Sequence, residues 1–155
     1  MNMPLDLKSS QLMLDGETDV IVRRDFSHPP ARVWRALTEP ALIRQWMSSH
    51  DALTGCEMDL RPGGSFRYEW DAFFFSGPIL EVDAPRRMVQ TQHFSLDPAY
   101  RVEATTELVA QSSGTRLTHV MRYADAGARA AAIEQGFTDS MDEVFGRIET
   151  IRFED

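Results

Sequence analysis

The sequence predicts an α+β domain in which a curved antiparallel sheet of six to seven strands grips a long C-terminal helix, with two short helices after the first strand. Three observations carry this. A β-branched segment at Asp19–Phe26 is followed by two proline-opened apolar stripes at helical spacing. Further segments between Cys56 and Tyr123 then alternate with period two between short turns. Finally, the last segment carries apolar residues at intervals of three and four. A helix with one apolar stripe must bury it, and the concave face of such a sheet is the surface available.

Asp19-Val20-Ile21-Val22-Arg23-Arg24-Asp25-Phe26 reads as a strand that stops at Ser27-His28-Pro29-Pro30. Proline is tolerated in a first helical turn, where its missing N–H has no intrahelical partner, and Val33, Trp34 and Leu37 follow at helical spacing. Thr38-Glu39-Pro40 repeats the device with Thr38 as the capping-type residue, and Leu42, Ile43, Trp46 and Met47 form a second stripe. Cys56, Met58 and Leu60 alternate with polar residues up to a turn at Arg61-Pro62-Gly63-Gly64. Phe66, Tyr68 and Trp70 share one face of the next strand; Arg67, Glu69 and Asp71 take the other.

Four more strands are expected at Phe73 to Val82, Arg87 to Phe94, Tyr100 to Val109 and Thr115 to Tyr123. Asp83-Ala84-Pro85, Asp97-Pro98 and Ser112-Ser113-Gly114 separate them. Short turns imply antiparallel neighbours, so Val102, Ala104, Thr106 and Leu108 should share a concave face with Leu117, His119, Met121 and Tyr123. Asp125 is a candidate N-cap for a final helix over about residues 127–152, with the stripe Ile133, Phe137, Met141, Val144, Phe145, Ile148 and Ile151.

At 155 residues and 43% hydrophobic content, the chain supplies one core and one domain, residues 18–155. Residues 1–17 form an N-terminal extension that nothing in the pattern ties down. The net charge of −8 repels phosphate backbones and anionic headgroups, which argues against nucleic-acid and membrane partners. Cys56 is the single cysteine, so no intramolecular disulfide forms, and a cytoplasmic location is the expectation. Asp6, Lys8, Ser9 and Ser10 interrupt the start of the chain where a secretory signal would need a sustained apolar run.

The residues Phe26-x3-Pro30-x2-Val33-Trp34-x2-Leu37-Thr38-x-Pro40-x-Leu42-x3-Trp46, followed by Asp59-Leu60-Arg61-Pro62-Gly63-Gly64-Ser65-Phe66, carry a resemblance. They resemble the START-like, or SRPBCC, superfamily of helix-grip folds, in the branch of homologues of the activator of the heat-shock-chaperone ATPase. Gly77, Glu81-Val82-x2-Pro85 and Gly136-Phe137 continue the pattern, which spans Thr18 to Phe153. The resemblance implies the helix-grip fold and a hydrophobic binding cavity. Superfamily members carry lipids, hormones and polyketides, or act as cyclases and dehydratases, on one scaffold. The branch name implies a stress-response setting. Eukaryotic activators join this domain to a separate chaperone-binding domain, for which 155 residues leave no room, so a chaperone partner is not the expected one.

His28, His50, His93 and His119 show no paired spacing, no HExxH and no CxxC companion, so neither a metal nor a cofactor is expected. No GxSxG or phosphate-binding glycine loop appears, and no catalytic residue is assigned. His119 alternates in phase with Leu117, Met121 and Tyr123; it either orients a ligand or is a satisfied core histidine. Glu69 and Glu81 read as solvated, Trp34 as structural and Cys56 as a buried small hydrophobe.

The expected function is binding or transport of a small hydrophobic molecule between sheet and last helix. Trp46, Phe66, Tyr68, Trp70, His119, Phe137 and Met141 are the candidate ligand-binding residues. Two alternatives stand beside it. One is a cyclase- or dehydratase-type enzyme using His119 or Tyr68 as acid or base. The other is a chaperone-associated or homodimeric interaction module built on Phe73-Phe74-Phe75, whose two faces are both apolar.

Overall fold

The chain runs β1 (Gln11–Asp15), β2 (Asp19–Phe26), α1 (Pro30–Thr38), α2 (Pro40–Met47), β3 (Gly55–Met58), β4 (Ser65–Glu69), β5 (Phe74–Asp83), β6 (Arg87–Phe94), β7 (Asp97–Gln111), β8 (Gly114–Tyr123), α3 (Ala126–Glu134), α4 (Met141–Gly146) and a 3-10 turn at Arg147–Thr150. The computed structural model describes residues 11–47, 52–138 and 141–153. One antiparallel sheet of eight strands, in the order β1-β2-β8-β7-β6-β5-β4-β3, holds these elements together.

The strand count exceeds the six to seven expected because Gln11–Asp15 joins the edge, paired residue for residue with β2 from Gln11↔Arg23 to Asp15↔Asp19. Every residue of β1 is exposed. An edge strand open on both faces needs no apolar alternation, so period two never appears in its sequence.

Pro29 and Pro30 open α1 as expected, and Val33, Trp34, Ala36 and Leu37 are buried beneath it. Thr38 does not cap the next helix. Its hydroxyl donates back to the Trp34 carbonyl at 2.8 Å, while the Glu39 carbonyl accepts from Leu42 and Ile43 to start α2. Glu39 itself is extended, the conformation favoured immediately before a proline. The Trp46 indole N–H reaches the Ala36 carbonyl at 2.7 Å and ties α2 to α1.

Between β3 and β4 the expected turn docks onto β5. Gly63 N–H donates to the Ile79 carbonyl, and Ile79 N–H donates to that of Gly64, both at 2.9 Å. Gly63 has φ +87°, and a Cβ on Gly64 would stand 2.0 Å from the Asp59 carbonyl oxygen, so both positions require glycine. The turn between β6 and β7 is Ser95-Leu96 rather than Asp97-Pro98; Pro98 sits near the start of β7, where a strand tolerates the missing donor.

The long C-terminal helix is broken. Asp125 caps α3, its carboxylate accepting from Ala128 N–H at 2.8 Å. Gly136 then ends the helix with φ +87°; its N–H donates to the Ile133 carbonyl and that of Phe137 to the Ala132 carbonyl. This bond pair is a Schellman termination, which glycine accepts without a Cβ penalty. The apolar stripe is thereby divided: Ala132 is buried under α3, whereas Phe145 and Ile148 pack with α4 and the turn after it. Arg129 fastens α3 to the β1–β2 turn by donating to the carbonyls of Asp15, Gly16 and Asp19.

The main core lies on the concave face against α1, α2 and α4. A second cluster of Ile43, Leu53, Phe66, Tyr68 and Ile79 fills the β3–β5 side. Ion pairs such as Arg116–Asp25 at 2.8 Å and Arg87–Glu81 occupy the convex face. Exposed pairs of this kind contribute little to stability.

Candidate functional site

The concave face and the helical segments leave an apolar cavity of about 560 Å³ between them. Leu37, Trp46 and Met47 from the helices α1 and α2 form one wall. Phe137, Met141, Val144 and Phe145 after the Gly136 break form the opposite cover. The sheet supplies the floor through alternate residues of β4 to β8, as the pleat requires. No lining side chain carries a formal charge at neutral pH.

At the end where the β4–β5 and β6–β7 hairpins turn, half-buried aromatic rings close on one another. Phe75 and Phe94 stack with centroids 4.7 Å apart; Phe137 lies edge-on to Phe94 at 5.4 Å and tilted against Tyr100 at 5.1 Å. Trp70 and Phe73 extend the group. Phe74, on the other face, lies under the Arg67 guanidinium at 3.7 Å from its ring centroid. The three consecutive phenylalanines thus all have intrachain partners.

Deeper along the sheet, Trp46 stacks with Phe145 at 5.8 Å, and His119 meets the same Phe145 ring edge-on. His119 Nδ1 bonds Thr106 Oγ1 at 2.9 Å. Among the described residues Nε2 has no hydrogen-bond partner, and the ring borders the cavity. Burial pushes the imidazole pKa down to about 4, so the ring is neutral at neutral pH. Burial likewise raises the Tyr68 hydroxyl above its ordinary range, with Gln90 acting in the opposite sense. It raises the phenols of Tyr100 and Tyr123 as well, and the two phenols act on each other. Among the described residues, however, no atom meets hydrogen-bond geometry with the buried Tyr123 Oη.

Of the seven candidate residues, Trp46, Tyr68, Trp70, His119, Phe137 and Met141 are brought together around the cavity. Phe66 is not. It shares the cavity-facing side of β4 with Tyr68 but lies further along the strand, 2% exposed, within the cluster formed by Ile43, Leu53 and Ile79. Lining residues beyond the seven candidates include Thr106, expected on the concave face, and Gln90, Gln92 and Tyr100, which the sequence reading missed. The signal was present in β6, where Met88, Gln90, Gln92 and Phe94 fall on one face.

His28 is elsewhere, its ring near the Glu149 carbonyl and Phe153, while His93 is exposed and His50 lies outside the described residues. Cys56 is half-buried, and burial raises its pKa, which keeps it a thiol. Among the described residues no three His, Cys, Asp or Glu side chains converge as metal ligands, and no helix there is long and apolar enough to cross a membrane.

An antiparallel sheet wrapped about a ligand-sized cavity, with helical segments closing it, defines a START-like helix-grip domain. The chain belongs to the family of activator of Hsp90 ATPase homolog 1-like proteins, whose family model matches residues 27–148. A protein from Nitrosomonas europaea is 33% identical, over 88% of this chain and 95% of that one, with a TM-score of 0.78. Proteins from Rhodobacter sphaeroides (24% identity, 91% and 95% covered, TM-score 0.83) and Mycobacterium smegmatis (20%, 92% and 95%, 0.83) share the fold. A search of the curated proteins finds no match.

Proposed function

We propose that the chain binds and carries a small hydrophobic molecule in the cavity between its sheet and the Phe137–Phe145 cover. The observation that carries this reading is a cavity of about 560 Å³ lined mainly by aromatic and aliphatic side chains, none of them charged. Ligand sites typically enclose ~300–1,000 Å³ and combine an apolar lining with a few polar groups. The single cysteine supports a cytoplasmic setting.

The same electrostatics favour binding over acid–base catalysis. A general base works best with a pKa near the operating pH, whereas burial drives His119 down to about 4. Tyr68 moves the other way, so it holds its proton more firmly than an ordinary phenol. Both groups suit neutral hydrogen bonding to a ligand.

Titration with the uncharged dye Nile red tests the proposal. Saturable binding that is lost in Phe137→Asp and Met141→Glu variants, with far-UV dichroism near that of the parent, is the expected result. Dye binding unchanged in both variants would remove this cavity from consideration.

A further inference from the structure

Gln92, Tyr100 and Tyr123 form a polar corner inside the aromatic end of the cavity. Gln92 pairs with Val102 on β7, and Val102 pairs with Tyr123 on β8, so Gln92 and Tyr123 flank one rung of the sheet. Tyr100 precedes that rung by two residues and faces the same cavity. Tyr123 is 3% exposed and lines the cavity beside the Tyr100 phenol, and among the described residues no atom meets hydrogen-bond geometry with its hydroxyl. Among the described residues the Gln92 amide makes no side-chain hydrogen bond. Gln92 is half-buried, whereas the buried Tyr123 hydroxyl loses solvation without recovering a bond.

These groups are chemically informative. A carboxamide offers both a donor and an acceptor, as does each phenol. Burial holds both phenols protonated, and no cation lines the cavity to receive an anion. An ionised ligand would be stranded in an apolar space, which is costly. The surrounding rings of Phe75, Phe94 and Phe137 favour offset or edge-on contact with another ring.

We propose that the molecule carried here is an uncharged ring compound bearing a carbonyl or hydroxyl edge, held with that oxygen against Gln92, Tyr100 and Tyr123 and its ring body against Phe75, Phe94 and Phe137. This rests on the carrier reading and adds the ligand class to it. The oxygen accepts from, or donates to, the Tyr123 hydroxyl, supplying the bond that the buried phenol lacks, and the Gln92 amide offers a second contact. Fatty-acid anions and purely hydrocarbon ligands are disfavoured by the same corner.

Tryptophan-fluorescence titrations with naphthalene, naphthol and naphthoate at neutral pH separate the two claims. Naphthol should bind roughly tenfold more tightly than naphthalene, the scale of one or two buried hydrogen bonds, with naphthoate weakest. In the double variant Tyr123→Phe, Gln92→Leu the naphthol preference should vanish while naphthalene affinity holds, which also shows that the variant is folded. Equal affinities in the parent, a preference that survives both substitutions, or naphthoate binding best would each overturn the ligand class and leave the carrier reading standing. Failure of all three probes to bind would overturn the ligand class, while absence of Nile red binding as well would overturn the carrier reading.

Discussion

Thr106 and His119 face each other across the β7–β8 ladder, joined Oγ1 to Nδ1 at 2.9 Å. This contact orients an imidazole on the cavity wall that would otherwise rotate within an apolar space. The pairing follows from register: both residues lie on the concave face of adjacent antiparallel strands.

Removing the hydroxyl tests that contact. Thr106→Val keeps the shape of the side chain but leaves a ring nitrogen buried without its partner. A loss of about 1–2 kcal/mol in urea unfolding is expected. An unchanged unfolding midpoint would mean that the bond contributes nothing.

The His119 environment also predicts a pH dependence. The folded-state pKa is about 4, below the ordinary 6.5. Above about pH 6.5 neither state binds a proton at this ring, and the group adds no pH dependence. As the pH falls below that value the unfolded chain takes up a proton that the folded chain refuses, so stability drops until the folded pKa is reached. At about pH 5 the parent should lose ~2 kcal/mol relative to a His119→Gln variant, referenced to neutral pH. Parallel urea curves for the two proteins at both pH values would contradict the burial argument.

Gly136 is where the helical cover changes direction. Alanine there must adopt φ near +87°, which costs roughly 1–2 kcal/mol for an L side chain. Gly136→Ala should therefore lower stability by about that amount. It should also weaken Nile red binding, because the cavity-lining Phe137 follows directly. A stable variant with full dye affinity would show that the break is incidental.

Phe66 separates packing from ligand contact. Phe66→Leu should destabilise by about 1–2 kcal/mol through lost packing against Ile43 and Ile79 while leaving dye affinity unchanged. Phe137→Leu, on the cavity cover, should show the reverse emphasis.

The sequence revealed strand and helix order well wherever burial imposed a period. The prolines of α1 and α2, the alternation of β4 and the in-phase residues of β7 and β8 all state their roles locally. Elements whose form depends on partners were harder to see. β1 is exposed on both faces and takes its shape from hydrogen bonds to β2. Gly136 was legible as a helix stop, but the i, i+3, i+4 stripe continued across it and suggested one long helix.

The site was legible by face more than by depth. Period two places Phe66 and Tyr68 together, yet only the docking of α2 and Leu53 decides that Phe66 is sealed into a second cluster. Conversely, Gln90 and Gln92 were visible on the concave face of β6. Their polarity sets them outside any apolar pattern, although a few polar groups are what gives an apolar cavity its specificity.

The most direct measurement is a native mass spectrum of the protein purified without detergent, recorded beside its denatured extract. Carriage in the cavity predicts a discrete extra mass on the folded chain that denaturation releases as an uncharged, ring-containing compound, and that Phe137→Asp lacks. A folded parent that remains at its bare mass even after incubation with excess naphthol or Nile red would contradict it.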